Sequence, residues 1–234
     1  QDIRPRWVEV SALRGKLAVL AKEQRADADL IPVLSGEGMQ LLDDFSETEA
    51  FGKRRDQLIG YLSEPLSVDA IKDISGRFCG AFFQDFAFYF ISKSLPDGLT
   101  LISHERTYRV FAGVYPTEGE TLPFEDGPLP ARGVHFPDGF SVTDEGDIEV
   151  IYEYTLTGRR GYLHMKRDHV NSEQVLESPK LIMVVPENTR HHVDGLELLP
   201  MPFDRVQFGS FINAKYAEFE QMARSELLDL GSRL

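Results

Sequence analysis

Leu181-Ile182-Met183-Val184-Val185 is an unbroken apolar run between Lys180 and Pro186. It is too short for a buried helix and shows no alternation of apolar with polar residues. A strand apolar on both sides must be covered on both faces, which is the usual position of a parallel strand inside an α/β sheet. The segment before it, Gly158 to about Leu176, reads as a helix entered through a basic turn at Arg159-Arg160. Strands are predicted at 133–142 and 148–157, joined by Thr143-Asp144-Glu145-Gly146-Asp147, whose Gly and Asp suit a hairpin connection. A strand-like stretch from Leu99 to Tyr115, broken near Ser103-His104-Glu105, precedes this pair, and further strands are expected at 196–201 and 205–208. Helix, strand, strand, strand, helix, strand is the order of an α/β fold: a mixed central sheet flanked by helices.

The first helix of that order is predicted from Ser67 to Ser94, with Ser75-Gly76 as a break. Phe78, Phe82, Phe86 and Phe90 fall four apart and form an aromatic stripe that must be buried. Between Phe78 and Phe90 only Gln84 and Asp85 are strongly polar. Residues 6 to about 65 read as helical. Trp7, Val8, Leu13, Leu17, Val19 and Leu20 recur at three- and four-residue spacings, and Ser35-Gly36-Glu37-Gly38 forms a loop. A second helix runs from about Glu47 to Leu62, with Ser46 and Glu49 spaced as a capping box. The chain therefore divides into an N-terminal helical extension, 1–66, suited to dimerisation or to docking a protein partner, and an α/β core, 67–234. The core ends in an amphipathic helix over about 213–230. Pro116 to Arg132 holds four of the thirteen prolines and reads as a long loop.

Composition narrows the function. Acids outnumber Lys and Arg by 38 to 25, a net charge of −13 that counts against unaided gripping of nucleic acid. No run approaches the roughly 20 apolar residues needed to span a bilayer, so no membrane partner is expected. The single cysteine, Cys79, excludes an intrachain disulfide and a cysteine-based zinc site, and a small core residue is its plain reading. With no secretory signal pattern at the start, the expected compartment is the cytoplasm.

Chemistry concentrates between His135 and Pro186. Pro137-Asp138-Gly139 opens one predicted strand, and Glu153 sits inside the next, Ile148-Glu149-Val150-Ile151-Tyr152-Glu153-Tyr154-Thr155. An acid within an apolar strand is costly unless it is paired or holds a metal. Carboxylates on neighbouring strands can converge on one divalent cation, for which oxygen donors are the preferred ligands. Glu149 shares the face of Glu153 but is read as belonging to the solvated end of the strand. His191-His192, adjacent in sequence, cannot easily share one ion and is read as a loop pair. No phosphate-cradling glycine loop and no serine hydrolase elbow is present.

Order and residues together resemble the PD-(D/E)XK nuclease superfamily, the restriction-endonuclease-like fold, over roughly residues 76 to 212. Pro137-Asp138 resembles the family's Pro-Asp, and Glu153, fifteen positions later, resembles the acid of its second motif. Gly80-Ala81-Phe82-Phe83-Gln84-Asp85 is similar to its first core helix, and Pro179 to Pro186 to the strand after its second helix. The resemblance implies a deoxyribonuclease that hydrolyses phosphodiester bonds with Mg²⁺ or Mn²⁺. Asp138 and Glu153 would ligate the ion, and Gln84 or Asp85 would assist. Two positions depart from the family pattern. Thr155 stands where the family carries its lysine, and Gln84 where many members carry Glu. The basic group is then expected at Lys166, or at Arg159 or Arg160; alternatively the site binds metal with little turnover, or the fold is catalytically dead and serves as a binding or assembly module in a larger complex. Arg159, Arg160 and Arg167 are the candidate phosphate contacts for DNA, beside His164 and His169.

Overall fold

A five-stranded mixed sheet organises the chain in the computed structural model, which describes residues 10–28, 30–31, 33–62, 68–103, 117–121, 128–130, 137–172 and 180–231. The helices among these residues are α1 (Val10–Ala28), α2 (Met39–Ser46), α3 (Glu49–Leu62), α4 (Val68–Ser92), α5 (Arg160–Ser172) and α6 (Arg205–Gly231). The strands are β1 (Thr100–Ile102), β2 (Thr117–Thr121), β3 (Pro128–Pro130), β4 (Gly139–Val142), β5 (Ile148–Tyr154), β6 (Lys180–Val185) and β7 (Glu197–Pro200). The main sheet has the order β1-β4-β5-β6-β7, antiparallel from β1 to β5 and parallel from β5 to β7.

The α/β class expected from the apolar run is the architecture observed. Side chains of β6 alternate between two cores: Ile182 and Val184 enter one, Leu181, Met183 and Val185 the other. The first core lies under α2, α3, α4 and α6. Phe78, Phe82 and Phe86 of α4 are buried there with Phe45, Phe51, Phe203, Phe208 and Phe219. Edge-on ring pairs such as Phe45–Phe86, with centroids 5.4 Å apart, add to the area that this layer removes from water. The second core lies on the other face, where Leu17 and Ala21 of α1 and Leu163 of α5 cover Ile102, Phe140, Val142 and Ile151. The helices before residue 66 thus enter both layers. No helix among the described residues is long and apolar enough to cross a membrane.

Several local expectations are corrected. α4 continues through Ser75-Gly76 without a break. A Cβ at Gly76 would meet nothing within 4 Å, so this glycine costs only its intrinsic ~1 kcal/mol, which burial of the aromatic stripe outweighs. Residues 205–208 are the first turn of α6, not a strand. Asp204 and Gln207 cap it reciprocally: the Gln207 N–H donates to Asp204 Oδ1 at 2.7 Å, and the Asp204 N–H to Gln207 Oε1 at 2.8 Å. The cap of α3 is Thr48, whose Oγ1 accepts the N–H of Phe51 at 3.2 Å, while Ser46 closes α2. Within the expected long loop, β2 and β3 pair as an antiparallel ribbon. The expected strand residues 104–115 and 133–136, with His104, Glu105 and His135, lie outside the described residues, as do Trp7 and Val8.

The β4–β5 hairpin is clasped by α1. Arg14 pairs with Asp147 at 2.7 Å and Arg25 with Asp144 at 2.6 Å. Half-exposed pairs of this kind add little stability, and they serve chiefly to fix where α1 crosses the turn. Gly146 is the tighter constraint, with φ at 87°; a Cβ there would collide with the Arg14 carbonyl and lie 2.8 Å from the Ala18 nitrogen. Gly146→Ala is therefore expected to lower unfolding free energy by on the order of 2 kcal/mol in urea denaturation. A wild-type midpoint for this variant would show that α1 does not press on the turn.

Candidate functional site

The antiparallel register pairs Gly139 with Tyr152, so one step further it brings Asp138 opposite Glu153. Both acids are withdrawn from water, Asp138 at 5% exposure and Glu153 at 0%. Asp138 is anchored at the mouth of β4. Its Oδ2 accepts the N–H of Tyr154 at 2.7 Å, and its Oδ1 accepts a hydrogen bond from Gln84 Nε2 at 3.0 Å. Gly139 makes the approach feasible: a Cβ there would lie 2.8 Å from the Tyr154 hydroxyl and 3.3 Å from the Ile102 carbonyl.

Glu153 shares the face of Ile151, the face covered by α5. Leu163 of α5 is buried against that face, and Lys166, three residues later, lies on the same side of the helix. Its ammonium donates to Glu153 Oε2 at 2.7 Å, with the lysine side chain only 14% exposed. Burial acts to lower the pKa of this ammonium, but the carboxylates of Glu153 and Asp138 outweigh it and hold the pKa above the ordinary lysine value. Lys166 is therefore a fixed positive charge at neutral pH.

The structure brings Asp138, Glu153, Lys166 and Gln84 together. Thr155 is taken up by a local turn, its Oγ1 accepting the Thr157 N–H at 3.1 Å, and the ammonium that meets Glu153 comes from α5. Asp85 is engaged elsewhere: Arg54 of α3 grips it with two bonds, of 2.9 and 3.1 Å. Arg159 and Arg160 are exposed at the entry to α5, and Arg160 Nε contacts His164 Nε2 at 3.3 Å. Arg167 is held down by Asp168 and by the Asp194 carbonyl. Glu149 is exposed at the far end of β5. His191 and His192 are exposed in the loop after β6, where His192 contacts Asp194 at 3.0 Å. Cys79 is half-buried on α4, where burial pushes its thiol up, away from nucleophilic use.

The residue that sequence reasoning missed is Tyr154. Its ring is buried, and its hydroxyl has no hydrogen-bond partner among the described residues. Burial, then the charges of Asp138, Tyr152 and Glu153, raise its pKa well above the usual phenol value, which keeps it neutral. A glycine within a strand, as at Gly139, is the sequence signal for such a close neighbour.

As a donor set, the two carboxylates and the amide oxygen of Gln84 are all hard oxygens. They suit an ion such as Mg²⁺, which is commonly held by one or two carboxylates and retains several waters. Among the described residues no group of three or more His, Cys, Asp or Glu side chains converges, so water and substrate would supply the other ligands. Comparison with protein-family models, with curated proteins and with solved structures finds no match to any of them.

Proposed function

We propose that the chain is a metal-dependent deoxyribonuclease with a restriction-endonuclease-like core of the PD-(D/E)XK type, in which Lys166 of α5 supplies the charge that Thr155 cannot. The observation that carries this reading is the meeting of Asp138, Glu153 and Lys166 in one buried cluster where β4, β5 and α5 converge. The order α4, β1, β4, β5, α5, β6 supports it, being that of the core expected from the sequence. Asp138 and Glu153 would hold Mg²⁺ or Mn²⁺, with Gln84 turned to offer its oxygen. The bound ion would supply an activated water and Lewis-acid stabilisation of the scissile phosphate. Lys166, held protonated, contributes charge beside the phosphate and does not abstract a proton. The test is incubation with plasmid and single-stranded DNA in Mn²⁺. Nicking that EDTA abolishes is the expected result, and intact DNA at every metal concentration would sink the assignment.

A second reading, a catalytically inactive subunit on the same core, is favoured by one observation. Lys166 already neutralises the fully buried Glu153, as a purely structural ion pair would. Titration calorimetry with Mn²⁺ separates the two, because a site closed by its own lysine takes up the ion poorly. Measurable one-to-one uptake favours the nuclease.

A further inference from the structure

β5 and β6 run parallel, so their C-terminal ends lie at one edge of the sheet, the edge where Glu153 sits. The chain leaves each strand there as a loop. The Thr155 N–H donates to the Val184 carbonyl at 3.0 Å, which keeps the two exits side by side. Further out the loops touch: a Cβ on Gly158 would lie 2.5 Å from Thr189 Oγ1, so only glycine allows this approach. Arg159 and Arg160, at the entry to α5, follow Gly158 directly, and Arg190, His191 and His192 follow Thr189, all five exposed. No carboxylate among the described residues pairs with Arg159, Arg160 or Arg190, whereas Arg14, Arg25, Arg54 and Arg224 are each matched by an acid. Glu187 and Asp194 share the second loop, but His192 engages Asp194. On a chain of net charge −13, arginines left unmatched at the edge that carries the buried acids mark a place where negative charge is received from outside.

We infer that Arg159, Arg160 and Arg190, flanking the contact of Gly158 with Thr189, form a cationic rim that grips the phosphate backbone of DNA beside the Asp138–Glu153–Lys166 cluster. This inference rests on the deoxyribonuclease reading for the identity of the ligand. It adds a loop that the motif resemblance does not assign. Arginine suits the role because its planar fork takes two phosphate oxygens at once.

The test is fluorescence anisotropy of a short labelled DNA duplex with the full chain in EDTA, repeated across NaCl concentrations. Arg159→Gln/Arg190→Gln is expected to bind about tenfold more weakly at low salt, and its plot of log K against log[NaCl] to flatten by about two, one for each phosphate that the variant no longer neutralises. Arg224→Gln/Lys53→Gln removes the same charge from α6 and α3 and is expected to keep the wild-type slope. Equal flattening in both variants, no change in the first, or no binding by the wild-type protein would each overturn the rim. Mn²⁺-dependent nicking by the wild-type protein, assayed separately, reports on the active-site reading. Nicking with an unaltered slope in the rim variant overturns the rim alone, whereas rim-dependent binding without nicking removes the nuclease and leaves a DNA-binding surface.

Discussion

Lys166→Met is expected to lower the free energy of unfolding by about 3–5 kcal/mol, because it leaves a fully buried carboxylate without its counter-charge. Nζ and Oε2 lie 2.7 Å apart, and the methionine that replaces the lysine stem fills its volume but offers Glu153 no hydrogen bond. Adding Glu153→Gln to the same protein removes the stranded charge and should restore most of the loss, since a neutral amide is far cheaper to bury than a carboxylate. Urea denaturation of the wild type, both single variants and the double variant closes the cycle. Additive losses would show that the two side chains do not act as a pair. The pH dependence has a definite sign. The pKa of Lys166 is raised in the folded state, so its contribution is fully present below the ordinary lysine value and is lost only as the pH climbs through the raised one. The gap between wild type and Lys166→Met should therefore not narrow between neutrality and about pH 9 and should narrow only in stronger alkali. A gap that closes before that point contradicts the pairing.

How much of this was legible before folding depends on how local each cause is. The two-sided burial of β6 follows from five adjacent apolar residues, and the structure divides them between the two cores as a period of two requires. Asp138 and Glu153 stood out because an acid in or beside an apolar strand demands an explanation. Lys166 was one of three basic candidates. What separates it from Arg159 and Arg160 is its distance of three residues from Leu163, the buried anchor of α5, and only the packing of α5 shows that Leu163 is that anchor. The partner of Asp85 was out of reach: Arg54 is 31 residues away on another helix, and no periodicity connects them. At the start of α6, Val206 and Phe208 alternate as a strand would, yet the Asp204–Gln207 box commits the segment to a helix. β2 and β3 were hidden by the prolines at 128 and 130, which edge positions tolerate where a central strand does not.

Asp138→Asn is expected to leave stability close to wild type and to reduce Mn²⁺-dependent nicking by roughly a thousandfold, the loss of about 4 kcal/mol of charge stabilisation at a bound cation. Asparagine has the shape of aspartate, and its amide oxygen can still accept the Tyr154 N–H that Asp138 holds at 2.7 Å. Its amide nitrogen can donate to Gln84 once that side chain turns its oxygen inward, so the contact now made at 3.0 Å survives with its direction reversed. Lys166 and Glu153 remain paired, and the ion pair whose rupture makes Lys166→Met unstable is untouched. What the substitution removes is one full negative charge from the two that would hold the ion, and Mn²⁺ uptake should weaken in calorimetry in parallel with the loss of nicking. The contrast between the two variants carries the weight: one should damage the fold by uncovering a buried charge, the other the chemistry by cancelling one. Wild-type nicking by Asp138→Asn would remove the carboxylate pair from the reaction, and a collapse of its stability would assign Asp138 to the fold alone, as the cap of Tyr154.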